Sequence, residues 1–260
     1  MLPYIHLNLY FWHIDLPTFG LMLWLAIVAA AFVMDRGFKR AGIGLDGAGG
    51  NSAGPDAVGM VAVAALLGIV GAKLWHVLDT PIEFREMGWR VLWDTAGFAW
   101  FGGMLFGISA LVFQGWWAKI GGLRILDLAA PAAAIGYGIG RIGCFLSGDG
   151  CYGVPTNLPW GMSFPHGLVP TTERVHPTPI YELIVACLIA WFLWRLGARR
   201  LKSGSVFAAY LVLTGVARFL VEFIRINPRS FLGMTNAQTA SVMSIIAGVA
   251  LWWWASRRAT

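Results

Sequence analysis

Seven apolar stretches of about 20 residues recur along this chain, at about 17–35, 56–78, 97–118, 125–147, 179–197, 205–225 and 236–255. An α-helix needs a run of that length to cross a hydrocarbon core of ~30 Å at ~1.5 Å per residue. The stretches are apolar all round rather than along one stripe, which excludes surface helices of a water-soluble domain. Composition agrees, with 58% hydrophobic and 12% charged residues and a mean hydropathy of +0.67; soluble domains carry about 25% charge. The sequence therefore predicts an all-α integral membrane protein, with about seven transmembrane helices in a single transmembrane domain over 1–260. The net charge of +6 then reports loops facing anionic lipid and gives no sign of nucleic acid. Three cysteines do not make a disulfide framework. Cys144 and Cys151 flank a glycine-rich turn and pair only if both face an oxidising side. The first span is too long and too late for a signal peptide, and Met1 to Pro17 contains no Lys or Arg.

Between the spans lies the punctuation that ends helices. "GIGLDGAGGNSAGP" (42–55) reads as a glycine-rich loop. Segment 148–179 holds six of the twelve prolines, at 155, 159, 165, 170, 177 and 179, too many for a helix. It is the one long insertion, a proline-rich loop, and so the candidate functional loop. Loop cations set the orientation. One set of span ends carries eleven: Arg36, Lys39, Arg40, Lys119, Arg124, Arg195, Arg199, Arg200, Lys202, Arg257 and Arg258. The other carries five: Arg85, Arg90, Arg174, Arg225 and Arg229. The bias predicts an outer N-terminus, a cytoplasmic C-terminus and 148–179 on the outer side. Trp252, Trp253 and Trp254 before Arg257 and Arg258 read as an interfacial belt with basic anchors.

Three cations remain within or at the ends of spans: Lys73, Arg141 and Arg218. Placing a charge at the bilayer centre costs about 2.5–3.5 kcal/mol on insertion scales, so each needs a partner or a function. Lys73 either snorkels to the interface from the end of its span or serves a buried purpose. Arg218 has Glu222 four residues on, on the same helical face; a self-balancing ion pair is the structural reading. Arg141 has no carboxylate three or four residues away, and Asp149 lies eight residues on, past Gly148. With Gly136, Gly138, Gly140 and Gly143 around it, Arg141 predicts a pocket for an anion from outside the chain. The abundant membrane anion is a phospholipid phosphate, which guanidinium matches with two parallel hydrogen bonds. "GIGRIG" (138–143) fits G-x-G-x-x-G, but no strand precedes it. Those glycines read as helix packing, not dinucleotide binding.

"GRIGCFLSGDGCYG" (140–153) resembles the signature of the bacterial prolipoprotein diacylglyceryl transferases, close to G-R-hydrophobic-G-N-F-hydrophobic-N-G-E-x-x-G. Further motifs follow in family order. "TFGLMLWLA" (18–26) is similar to the first-span Y-G-hydrophobic pattern, and "GAKLWHV" (71–77) to a G-A-R-hydrophobic segment. "FGG" (101–103) falls at H-G-G, "HPTPIYE" (176–182) at H-P-(S/T)-x-hydrophobic-Y-E, and "RFLVEFIR" (218–225) at R-F-hydrophobic-hydrophobic-E-x-x-R. The resemblance implies a seven-span enzyme of the bacterial inner membrane. Such an enzyme moves the diacylglyceryl group of phosphatidylglycerol onto the lipobox cysteine thiol of a prolipoprotein signal peptide, forming a thioether and releasing glycerol 1-phosphate. It implies no cofactor and no metal.

Carried over by position, Arg141 matches the signature arginine, Asp149 its glutamate and Gly153 its final glycine. Arg218 and Glu222 match the sixth-span pair, and His176, Tyr181 and Glu182 the loop-to-span motif. Arg141 and Arg218 are assigned to the lipid phosphate, Glu222 to orienting Arg218, and Asp149 to the loop above Arg141. His176 is the candidate helper in handling the thiol proton, or else a loop-ordering residue before Pro177. Gly102 and Gly103 retain the H-G-G glycines. Three positions depart from the pattern: the H-G-G histidine is Phe101, the first-span tyrosine is Phe19, and the signature asparagine is Cys144. Each change removes hydrogen-bonding capacity from the expected pocket. Three readings stay open: a working transferase, the same scaffold acting on another acceptor, and a phospholipid-binding partner protein without catalysis. A channel or transporter fits the spans but not the ordered motifs.

Overall fold

The structure, a computed structural model, describes residues 2–9, 12–44, 56–93, 99–199, 201–231 and 233–257. Most of the glycine-rich segment (45–55), Arg200 and Arg258 lie outside the described residues. Strands β1 (Tyr4–Leu9) and β2 (Trp12–Pro17) form an antiparallel hairpin that pairs Tyr4 with Pro17. Helix α1 (Thr18–Arg40) follows directly. Helix α2 (Ala57–Asp79) begins at Asp56, whose carboxylate accepts the Val58 and Gly59 N–H groups at 3.1 and 2.8 Å. This N-cap satisfies donors that have no partner within the helix. Helix α3 (Pro81–Met87) and a 3₁₀ turn (Gly88–Trp93) lead towards α4 (Trp100–Trp117) and α5 (Gly122–Ser147). A second hairpin, β3 (Met162–Phe164) with β4 (Thr171–Val175), precedes α6 (Thr178–Leu196). Helix α7 (Ser205–Val221) runs into a 3₁₀ turn (Glu222–Ile224). A third hairpin, β5 (Arg229–Phe231) with β6 (Met234–Thr235), then introduces α8 (Asn236–Arg257).

The three hairpins are what the all-α reading left out. The first hairpin does carry a strand signal, apolar and polar residues alternating over 5–9 and 12–16, whereas β3 to β6 are too short or too polar to give one; all lie outside the long helices. Among the described residues, six helices are long and apolar enough to cross a membrane: α1, α2, α5, α6, α7 with its 3₁₀ extension, and α8. The protein is thus a mostly helical, multi-pass membrane protein. The stretch read as a span over 97–118 is α4. Its 18 residues extend only about 27 Å, and Gln114 and the tryptophans at its ends dilute its hydropathy.

The described residues form two compact units, one of 1–30 with 129–260 and one of 31–128, whose boundaries fall inside α1 and α5. In the 31–128 unit, α2 packs on α4 at Gly102 and Gly103. A Cβ on Gly102 would strike the Gly71 carbonyl and the Trp75 side chain, and one on Gly103 would lie 3.4 Å from Ala72 Cβ. Lys73 is buried here at 6% exposure. In the other unit, α5, α6 and α7 share a core of Ala130, Ala134, Ile189, Ala190, Leu193 and Val206. Gly138 and Gly143 make that closeness possible. Their Cβ positions lie 3.3 Å from Ala186 on α6 and 3.1 Å from Phe19 and Met22 on α1.

Burial is inverted relative to a protein in water. Leu188 and Met243 are 60% and 67% exposed, whereas Glu182 and Glu222 are 6% and 3% exposed. Lipid solvates the apolar exterior, and the helix bundle has to satisfy the charges internally.

Candidate active site

Four segments of the larger unit deliver the site. On α5, Tyr137 and Arg141 stand one turn apart on one face, and the Arg141 guanidinium lies 4.6 Å from the Tyr137 ring centre. Glu182 lies in the second turn of α6, and Arg218 in the last turn of α7. Arg225 follows the 3₁₀ turn that caps α7 and is bridged to Gly153 in the segment after α5.

Glu182 is the centre. Its Oε1 accepts from Arg218 Nη1 at 2.8 Å and from the Tyr137 hydroxyl. Its Oε2 lies 3.3 Å from Arg225 Nη1 and 3.5 Å from Arg141 Nε. Glu222 Oε2 pairs with Arg218 Nη2 at 2.9 Å, out of line for a hydrogen bond, while Asn227 donates to its Oε1. Counting direct ion pairs, three guanidiniums face two carboxylates in a largely buried place, with the Asp149 carboxylate near the two sulfurs that touch Arg141. Charge out of water is costly unless paired, so the surplus among these pairs favours a further anion.

Arg141 has no carboxylate three or four residues away, and the fold supplies one, Glu182, from a different helix 41 positions away, which helical spacing cannot reveal. Arg225, counted among the loop cations, is drawn in to the same carboxylate. Its side chain is 9% exposed and bound to Glu182. The quoted run "RFLVEFIR" already contained Arg225, and Tyr137 lies four residues before Arg141, so both signals were present in the sequence.

The other candidates fall into three groups. Around the cluster, Arg141 Nη1 lies 3.8 Å from Cys144 Sγ and 3.9 Å from Cys151 Sγ. Asp149 Oδ1 accepts the Cys151 N–H at 3.1 Å, so its carboxylate shapes the turn beside Arg141. Gly153 is held by backbone bonds, its N–H to the His176 carbonyl at 2.9 Å, and a Cβ there would strike the Ile224 carbonyl. A second group centres on Tyr181, whose hydroxyl accepts from Trp160 Nε1 at 2.8 Å and lies 3.3 Å from His176 Nδ1. Phe19, on α1, packs beside Gly143. Phe101, Gly102 and Gly103 belong to the 31–128 unit, where Phe101 is 49% exposed and packs edge-on to Trp100. Sulfurs of Cys144 and Cys151 and a carboxylate oxygen of Asp149 lie within 4.8 Å of one another, spacing that a metal ion could use. The Arg141 guanidinium beside both sulfurs opposes a second cation there.

Fold and site together define a class: a polytopic membrane protein with a largely buried arginine cluster built from several helices, in which directly paired guanidiniums outnumber carboxylates. A family model described as prolipoprotein diacylglyceryl transferase matches residues 7–254. Several curated relatives carry the name phosphatidylglycerol–prolipoprotein diacylglyceryl transferase. One from Clostridium tetani is 33% identical over 240 residues, covering 89% of this chain and 90% of its own. One from Leptospira interrogans is 31% identical over 257 residues, covering 85% and 77%. One from Geobacter sulfurreducens is 32% identical over 228 residues, covering 85% and 82%. The chain belongs to the prolipoprotein diacylglyceryl transferase family.

Proposed function

We propose that this protein transfers the diacylglyceryl group of phosphatidylglycerol to the lipobox cysteine thiol of a prolipoprotein signal peptide. The observation that carries this reading is the convergence of Arg141, Arg218 and Arg225 on Glu182 with one positive charge in excess. A phosphodiester lipid has one negative charge. In the reaction, the acceptor thiolate sulfur attacks the glycerol carbon that bears the phosphate ester. An S–C bond forms, the C–O bond breaks, and its electron pair leaves on the phosphate oxygen. Glycerol 1-phosphate departs with one more negative charge than the bound diester had. A cluster with surplus positive charge gains more from the developing monoester than from the ground-state lipid, which is the requirement for catalysis.

The thiol must lose its proton before attack. Phe101 stands where the family pattern has a histidine, and Glu182 and Glu222 are committed to arginines. Nearby cations lower a thiol's pKa, so the arginines promote thiolate formation and the proton passes to solvent. His176, beside Tyr181 in the outer segment, is the titratable group positioned to assist. The loop-cation bias supports an outer N-terminus, a cytoplasmic C-terminus and a proline-rich outer loop over 148–179 that meets the incoming peptide. On this reading α4 serves as the seventh span of one transmembrane domain in the bacterial inner membrane.

The test is complementation of a strain depleted of its own transferase, paired with transfer of labelled diacylglyceryl to a lipobox peptide. Growth and labelled peptide are expected, and loss of both on Arg218→Ala. Phe101 favours one second reading, a phospholipid-binding protein without transfer. Tight lipid binding with neither growth nor labelled peptide would establish it.

A further inference from the structure

Two of the three cysteines lie on the same guanidinium. Cys144 sits in the last turn of α5, and Cys151 returns to it through a turn in which Gly148 and Gly150 adopt φ of +60° and +83°. Arg141 Nη1 is 3.8 Å from one sulfur and 3.9 Å from the other, and the sulfurs themselves are within 4.8 Å. A disulfide at ~2.05 Å needs each sulfur to move at most about 1.4 Å. The backbone of Cys151 is already fixed, its N–H by Asp149 and its carbonyl by the Thr178 hydroxyl. Hydrogen bonding from Cys144, with the charge of Arg225, lowers the Cys151 thiol below its ordinary value, which raises its thiolate fraction for thiol–disulfide exchange.

We propose that Cys144 and Cys151 form a redox-active pair whose oxidation to a disulfide releases Arg141 to bind the lipid phosphate. The oxidant is a disulfide-bearing molecule. Cys151 thiolate attacks one of its sulfurs, forming a mixed disulfide and expelling a thiolate. Cys144 then gives its proton to solvent and attacks Cys151 Sγ, expelling the second thiolate. The pair loses two electrons and two protons, and the oxidant becomes two thiols. When reduced, the pair holds accepting, ionisable sulfurs against Arg141 Nη1. When oxidised, it carries no charge, and Nη1 is open to phosphate while Nε keeps Glu182 at 3.5 Å. The pairing stands on geometry alone; its effect on lipid binding rests on the phosphate-binding reading of Arg141.

The experiment uses the full-length protein purified in detergent, treated with dithiothreitol or with oxidised glutathione followed by removal of excess. Thiols are counted by maleimide adducts under denaturing conditions with intact mass, and phosphatidylglycerol binding is titrated in parallel. The expected result is three adducts when reduced, and one adduct, on the exposed Cys187, with a mass two hydrogens lighter when oxidised. Cys151→Ser should abolish the intramolecular bond. Oxidation should tighten phosphatidylglycerol binding several-fold in the parent and leave Arg141→Ala unaffected. Three adducts after oxidation, or glutathione adducts without the lighter mass, would overturn the pair. Thiols protected until a chelator is added would overturn it in favour of a metal site. A disulfide that leaves lipid binding unchanged would overturn the link to Arg141. If the reduced Arg141→Ala protein also binds lipid like the parent, the failure lies in the phosphate reading instead.

Discussion

Glu182→Gln is the perturbation that most directly probes the arrangement. Glutamine keeps the shape and one acceptor, so Arg218, at 2.8 Å from Oε1, and Tyr137 retain a partner. The other oxygen becomes an amide NH₂, a donor facing Arg225 and Arg141, which lay 3.3 and 3.5 Å from Oε2. The cluster then holds three guanidiniums against Glu222 alone. Removing one member of a buried ion pair costs about 3–5 kcal/mol. For a chain of this size, ~2–4 °C per kcal/mol converts that cost to a fall of about 6–20 °C in the unfolding midpoint. Differential scanning fluorimetry of the detergent-solubilised protein reads it. The structure adds a more specific expectation. Phosphatidylglycerol should raise the midpoint of Glu182→Gln more than that of the parent, because the bound phosphate supplies the missing negative charge. Glu182→Asp should recover part of the loss without lipid. A parent-like midpoint for Glu182→Gln, or equal protection of both proteins by the lipid, would refute the view that Glu182 balances three arginines beside an anion site.

Arg141→Ala and Arg218→Ala should each lose a charge-assisted contact worth about 1.5–3 kcal/mol, roughly 10- to 150-fold in transfer rate; transfer that survives in both would dismiss their convergence on one phosphate. Gly153→Ala should fail to fold its loop, since the new Cβ meets the Ile224 carbonyl and lies 3.0 Å from His176 Cβ and Thr178 Cγ2; limited proteolysis across 148–179 checks this, and a parent-like digestion pattern would count against it. Transfer by the parent should rise with pH and level off below the ordinary thiol value near 8.5, because the acceptor reacts as thiolate, the arginines lower its pKa, and no imidazole stands at position 101. An inactive parent restored by Phe101→His would show instead that a base is required. A reporter fused after Thr260 should be active only on the cytoplasmic side, and activity on the outer side would reverse the proposed orientation.

The linear sequence determined the solvent and the parts. Runs near 20 residues with few charges can bury their backbone polar groups in lipid only as helices, so the helical, membrane-spanning character was legible before any contact was known. The arginine in a glycine-rich helix was legible for the same reason: a charge in lipid must answer to something. Ordered motifs made the family legible too. Tertiary structure decided which groups meet. Glu182, Arg225 and Arg141 lie on separate segments, and no periodicity within one helix encodes a pairing across 41 or 43 positions. Only helices brought close by Gly138 and Gly143, and a loop turned back at Gly148 and Gly150, put three arginines on one carboxylate and two sulfurs on one arginine. Electrostatic balance depends on distance in space, and distance in space is what folding adds to the sequence.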